Sequence, residues 1–276
     1  MRHTTWTAIE GNSVTMDLYR AYRRLPGYVR TPARWIVAPR WHAVCAYVVA
    51  RSKGRVVAGP FEGLKLQLSS VSSRHLLGYI LGTQELELHG VVEEIVARDY
   101  SHIINVGVAD GYYAVGFARR MPSTRVIGFE GLPEHHPLVR RAAEENGVSD
   151  RIELRGFCES SDLDQALIEA GPKSLVVCDI EGGEKALLDP EKSPELANAD
   201  ILVETHDGLL LGCTRTMVER FEATHDIVSI LARPRTMVDF PFDKLPLLPT
   251  LVPETAIELM NERRTGLQEW LFMTAR

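Results

Sequence analysis

From residue 102 onward the chain repeats one pattern: a short apolar run, a break, then a stretch with apolar residues three and four positions apart. The runs at 102–106, 125–130, 152–157, 174–180, 201–204, 227–231 and 270–274 predict strands. The stretches at 112–120, 137–146, 162–170, 184–188 and 214–224 predict helices. Strands alternating with helices imply right-handed βαβ units on a doubly wound, mostly parallel α/β sheet covered on both faces. Ahead of this region, Leu86, Val91, Ile95 and Val96 predict a helix over 84–98. Residues 55–68 predict a hairpin turning at Gly59-Pro60 or at Gly63. Trp41, Val44, Cys45, Val48 and Val49 predict a further helix. Between Pro234 and Pro253 the periodicity fails across five prolines, which predicts a loop over the site. The expected organisation is a mainly helical N-terminal extension, 1–57, and one domain, 58–276, with a proline-rich loop at 233–253.

Composition adds a charge asymmetry. The chain has 276 residues, 45% hydrophobic and 25% charged, enough for a sizeable core. Its net charge is −6, yet residues 1–60 carry ten Lys/Arg against two Asp/Glu. A basic arm on an acidic body docks on that body or on a second subunit, or else binds nucleic acid. Trp, Val and Pro interleaved with the arginines favour docking, hence a homo-oligomer, over a nucleic-acid partner. The four cysteines form no CxxC pair, which argues against a zinc knuckle and fits a reducing cytoplasm. The first twenty residues lack an apolar signal core, and the run 41–50 is too short to span a bilayer, so no membrane association is expected.

The candidate chemistry begins at Asn105-Val106-Gly107-Val108-Ala109-Asp110-Gly111-Tyr112, where a strand runs through a glycine-containing turn into a helix. Gly107 and Gly111 allow close backbone approach to a ligand, and the amides opening the helix face its negative end. The dinucleotide fingerprint is absent, since Ala109 and Tyr112 stand where it needs glycines. A pyrophosphate requires that extra room; the smaller amino-acid end of S-adenosylmethionine does not. Glu130 ends the next strand, where a carboxylate holds a ribose diol. Gly131 and Leu132 then lie along an adenine, with Phe157 and Cys158 on its other face.

The run from Asn105 to Gly116, Glu130, Asp179-Ile180-Glu181-Gly182-Gly183-Glu184 and Val203-Glu204-Thr205-His206-Asp207 resembles FkbM-type S-adenosylmethionine-dependent methyltransferases. The resemblance covers roughly 58–276, including Gly59-Pro60-Phe61-Glu62-Gly63. It implies a seven-stranded, Rossmann-like class I methyltransferase fold, S-adenosylmethionine as cofactor, and most often O-methylation of a small-molecule acceptor. Asp179 joins Asn105, Gly107, Ala109, Asp110, Gly111, Tyr112, Glu130, Gly131, Leu132, Phe157 and Cys158 as an expected cofactor contact. Residues two apart on a strand face one way, so Asp179 with Glu181 and Glu204 with His206 meet at the sheet's carboxyl edge. Carboxylates gathered with one imidazole need a positive partner. Three readings stay open: Asp179, Glu204 and His206 hold Mg²⁺ or Mn²⁺; His206 is a general base oriented by Glu204 or Asp207; or Glu184 merely caps a helix and His206 is solvated. Competing functions are an RNA or protein methyltransferase using the basic arm, and a non-catalytic cofactor-binding module.

Overall fold

The computed structural model describes residues 39–67, 76–262 and 268–276. The chain divides into two compact units, Met1–Val48 and Val49–Arg276. Most of the expected basic extension, 1–38, lies outside the described residues, and so do the expectations of docking and oligomer formation attached to it. Helix α1, Pro39–Ser52, runs across the boundary. No described helix is long and apolar enough to cross a membrane.

The second unit is built on seven strands: β1 (His102–Val106), β2 (Arg125–Phe129), β3 (Ile152–Arg155), β4 (Ser174–Cys178), β5 (Asp200–Thr205), β6 (His225–Leu231) and β7 (Glu269–Ala275). Their order is β3-β2-β1-β4-β5-β7-β6. The first five are mutually parallel, and β7 lies antiparallel between β5 and β6. This is the expected seven-stranded, mostly parallel sheet. Alternation along each strand feeds two cores. Ile103, Val126, Leu175, Leu202 and Trp270 pack on one face with α3 (His89–Ala97), α4 (Tyr112–Arg120) and α5 (His136–Glu145). Ile104, Ile127, Val176, Ile201 and Leu271 pack on the other with α6 (Ser160–Ala170), α7 (Glu184–Leu187) and α8 (Cys213–Phe221). A one-residue slip would exchange the two sets, so burial of both faces fixes the register. Each such side chain contributes roughly 1.5–3 kcal/mol through burial.

Three departures from the sequence pattern bear on the site. Helix α2, Leu76–Leu81, is too short for its periodicity to register. The helix expected from residue 84 opens only as a 3-10 turn at Leu86–Leu88 and becomes α-helical at His89, because Glu85 takes φ 46°, ψ 46°. Left-handed backbone at a residue with a Cβ costs roughly 1–2 kcal/mol and ends helical continuity there. The proline-rich stretch is not all loop. It holds a 3-10 turn at Met237–Asp239 and α9 (Leu247–Leu251), with α10 (Pro253–Leu259) directly after, and buries Phe240, Leu245 and Leu248. The hairpin before α2 is present, with Arg55 bridged to Lys65 and the Gly63 amide donating to the Val56 carbonyl. Its Phe61 ring packs edge-on against Tyr112 and Phe117 of α4.

The strand order reverses between β1 and β4, which opens a crevice at their carboxyl ends. There the chains touch closely. The Asp179 amide donates to the Val106 carbonyl at 3.1 Å. Gly107 has φ 82°, and a Cβ built on it falls 1.8 Å from the Asp179 carbonyl oxygen. Gly107→Ala must therefore both strain its own backbone and part β1 from β4. We expect it to lower the free energy of unfolding by at least about 1–2 kcal/mol, measured by urea denaturation.

Candidate active site

The turn after β1 carries three positive φ angles, at Gly107, Ala109 (48°) and Gly111 (88°). Gly111 is the N-cap of α4 and has no side chain to cap it. Its first-turn amides are thus left for an incoming acceptor group. Glu130, 8% exposed, braces the turn from the end of β2. Its Oε2 accepts the Ala109 amide at 2.7 Å and its Oε1 accepts the Leu132 amide at 2.8 Å. One amide on each oxygen leaves a second lone pair on each, enough for two hydroxyl donors. Beside it, Leu132 and Phe157 are exposed apolar side chains at the ends of β2 and β3. A Cβ on Gly131 would lie 3.2 Å from the Phe157 ring, so glycine keeps this edge open. Cys158 is buried, and burial first, then Asp162, pushes its thiol up to about 12, which leaves it a neutral wall. Asn105 is 2% exposed; its Nδ2 donates to the Val177 carbonyl at 3.3 Å while its Oδ1 has no partner. Tyr112 is buried beneath the turn, its ring 4.5 Å from that of Tyr79.

The second half of the site lies at the ends of β4 and β5. His206 is 5% exposed. Its Nδ1 lies 2.8 Å from Glu184 Oε1. Its Nε2 faces Glu181 at 3.5 Å, Asp179 at 3.6 Å and Glu204 at 3.9 Å. Glu184 is fully buried, and the same Oε1 accepts the Gly182 amide at 3.1 Å and the Ile180 amide at 3.3 Å. It therefore holds the imidazole and the turn in which Glu181 takes φ 54°. The sequence reading gave the orienting role to Glu204 or Asp207. Asp207 instead caps α8, accepting the Cys213 amide at 2.8 Å and the Thr214 amide at 3.2 Å. Burial opposes charge on both members of the His206–Glu184 pair. Their mutual hydrogen bond outweighs it only together with the backbone amides on Glu184 and the charges of Glu184, Asp179 and Glu181 around the imidazolium. Hence the His206 pKa is raised and the Glu184 pKa lowered.

Asp179, Glu204 and His206 thus meet at one place, but their ligand atoms fall into two groups that share Asp179. One is Asp179, Glu181 and His206; the other is Glu85, Asp179 and Glu204, with the atoms of each group within 4.8 Å of one another. Glu85 was absent from the sequence reading. It is 4% exposed, and its carboxylate accepts the Tyr113 hydroxyl. Its amide donates to Glu262 Oε1 at 2.7 Å. Glu262 also pairs with Arg235, which pairs with Glu87 at 2.7 Å and donates to the Thr83 carbonyl at 3.0 Å. The 233–262 stretch thereby fixes the segment that presents Glu85. A strand end with Asp-x-Glu-Gly-x-Glu pointed to Asp179. No comparable signal marks Glu85, one of two acids that alternate with leucines over 85–88.

No family model matches the chain. It is 29% identical over 129 residues to a release factor glutamine methyltransferase of Geobacter sulfurreducens, covering 40% of this chain and 45% of that protein. It is 32% identical over 100 residues to the protein of the same name in Chlorobaculum tepidum, covering 34% and 33%. The chain therefore spans less than half the length of these curated relatives. Among solved structures, it is similar to the O-methyltransferase TomG of Streptomyces achromogenes in complex with SAM, at 15% identity and TM-score 0.45, covering 86% of this chain and 98% of that one. It is likewise similar to an O-methyltransferase of Bacillus cereus in complex with SAH, at 13% identity and TM-score 0.45, covering 90% and 97%.

The His206–Glu184 pair gives a direct test. In EDTA-treated protein, the His206 imidazole should titrate above the ordinary histidine range in histidine-detected NMR, and Glu184→Gln should move it downward. The sign follows from linkage: a raised folded-state pKa stabilises fully below the unfolded value, and that stability fades as pH rises through the folded value. Raising the pH through that window should lower wild-type stability more than that of Glu184→Gln.

Proposed function

We propose that this chain is an S-adenosylmethionine-dependent methyltransferase of FkbM type that methylates an oxygen of a small molecule. The observation that carries the reading is Glu130. It sits at the end of β2, spends one lone pair per oxygen on bracing the Gly107–Gly111 turn, and keeps the other pair for a diol. The open first turn of α4 suits the carboxylate end of the cofactor, and Leu132 and Phe157 suit its base. Bound there, S-adenosylmethionine would supply an activated methyl group, the electron pair of its carbon–sulfur bond remaining on sulfur as the acceptor oxygen bonds the carbon. The chain's own task is to aim an acceptor oxygen at that carbon and to take up the acceptor's proton. The curated relatives, matched over a third of the chain or more, carry methyltransferase names in support of the same chemistry.

His206 is poorly suited to be a free base. While no ion is bound, Glu184 and three further carboxylates favour the protonated imidazole, which cannot take up another proton. The same geometry suits a metal ligand. With Nδ1 donating to a buried carboxylate, Nε2 is the nitrogen that remains, in the carboxylate–histidine–metal arrangement. The donor set of carboxylates with one imidazole suits Mg²⁺ or Mn²⁺, which would acidify the acceptor hydroxyl. Asp179, Glu204 and His206 are the residues we assign to that ion. A second reading is a protein acceptor, favoured by the names of the two curated relatives.

Calorimetry with S-adenosylhomocysteine should show tight binding to wild type and a loss of about 1.5–3 kcal/mol for each hydroxyl contact removed in Glu130→Ala. Unchanged affinity in that variant would refute the cofactor placement. S-adenosylhomocysteine formation with a panel of hydroxylated small molecules and with peptides separates the acceptor classes. Chelator-sensitive turnover restored by Mn²⁺ is the expected result; turnover indifferent to EDTA would remove the ion from the mechanism.

A further inference from the structure

Helix α2 is anchored by one face. Leu77, Ile80 and Leu81 are buried, and the Val57 amide of the hairpin donates to the Ile80 carbonyl at 2.8 Å. At about 100° of turn per residue, Tyr79 projects from the opposite side. Its ring meets that of Tyr112, the first residue of α4, at a centroid distance of 4.5 Å and an angle of 44°. Among the described residues this is its one ring contact. The two neighbouring tyrosines are already engaged. Tyr112 is buried and also packs on Phe61, while Tyr113 packs on Phe117 and Trp270 and gives its hydroxyl to Glu85. Tyr79 is only half-buried, so part of its ring is left for something else.

We propose that the sulfonium of S-adenosylmethionine seats against the Tyr79 ring, and that this contact lets the site favour the cationic cofactor over its neutral product. The proposal rests on the methyl-transfer reading above.

Placement is the first support. The first turn of α4 suits the carboxylate of the cofactor, and Glu130 suits its ribose. The sulfur joins those two ends, two methylenes from the amino-acid carbon. Tyr79 packs on the residue that opens α4 and so borders that interval from the side of α2. The charges acting on its hydroxyl are Glu85, Asp179 and Asp110, which belong to the acid cluster and to the turn after β1. The ring thus stands between the cofactor turn and the place where an acceptor would be met.

The chemistry of a sulfonium is the second support. It carries positive charge but no N–H or O–H, so carboxylates attract it without fixing its direction. An aromatic face does both, since its negative quadrupole is directional and its surface is apolar. Burial first, then Glu85 and Asp179, hold the Tyr79 phenol well above its ordinary range. It therefore stays neutral and offers a π face rather than a charge.

The test is calorimetry of the full-length protein with S-adenosylmethionine and with S-adenosylhomocysteine, which differ by one methyl group and one positive charge. Tyr79→Leu should weaken S-adenosylmethionine about fivefold or more and leave S-adenosylhomocysteine within about twofold. Tyr79→Phe keeps the ring and should keep the wild-type ratio of the two affinities. Trifluorophenylalanine at position 79 keeps the shape of phenylalanine but drains its π face. It should weaken S-adenosylmethionine about threefold or more relative to Tyr79→Phe, with S-adenosylhomocysteine unmoved. That comparison decides the matter if circular dichroism shows that Tyr79→Leu does not fold. Losses equal for the two ligands, or none for either, would overturn the proposal, because a structural wall does not sense charge. So would a selective loss already complete in Tyr79→Phe, which would assign the effect to the hydroxyl. Wild type that binds neither ligand would sink the methyl-transfer reading and this proposal with it. Wild type that binds both without a selective loss in the variants would sink this proposal alone.

Discussion

The close approach of Gly107 to the Asp179 carbonyl governs the rest of the site. The strand order turns around between β1 and β4, so their carboxyl ends must diverge into different crossovers while remaining in contact. They do so with no room for a side chain at residue 107. One consequence is a tight turn from Gly107 to Gly111, braced by the Phe129 carbonyl and Glu130, that leads directly into α4. Another is that Asp179 leaves β4 at a fixed height beside that turn. The half of the site that suits a nucleoside and the half that gathers acids are thus two sides of one backbone junction.

Charge then organises what the junction brings together. Asp179, Glu181, Glu184 and Glu204 converge on His206, and Glu85 meets Asp179 and Glu204 beside them. Such a gathering is tolerable in a partly buried place only with positive charge among it. While no ion is bound, His206 supplies one such charge, held by Glu184. Arg235 is committed to Glu87 and Glu262 behind Glu85, where it secures the segment. A cationic cofactor and a divalent ion would both find this place favourable, which is the electrostatic sense of the proposed chemistry.

Much of this was legible in the sequence because it follows from local periodicity. Strands such as 102–106 and 174–178 read as short apolar runs since both their faces are buried, and the turns between them carry glycines at positions of positive φ. Asp179, Glu204 and His206 could be placed together because strand ends in such a sheet converge. What could not be read depends on distant partners. Glu85 departs from helix because Glu262 and Tyr113 hold it, and neither is a neighbour in sequence. Glu184 matches the pattern of a helix cap, and only the fold brings Nδ1 of His206 to the same oxygen. Asp207, a plausible partner for His206 by adjacency, is drawn away by the amides of α8. The short helices after residue 246 contain prolines that mimic loop composition, although Pro253 stands at a first helical position where its missing N–H costs nothing.

The most direct test is a crystal structure of the protein with S-adenosylhomocysteine. The account predicts the amino-acid end on the Gly107–Gly111 turn, both ribose hydroxyls on Glu130, and the sulfur facing the space bounded by Asp179, Glu204 and His206. A ligand bound away from the β1–β4 junction, or a ribose that leaves Glu130 untouched, would contradict it.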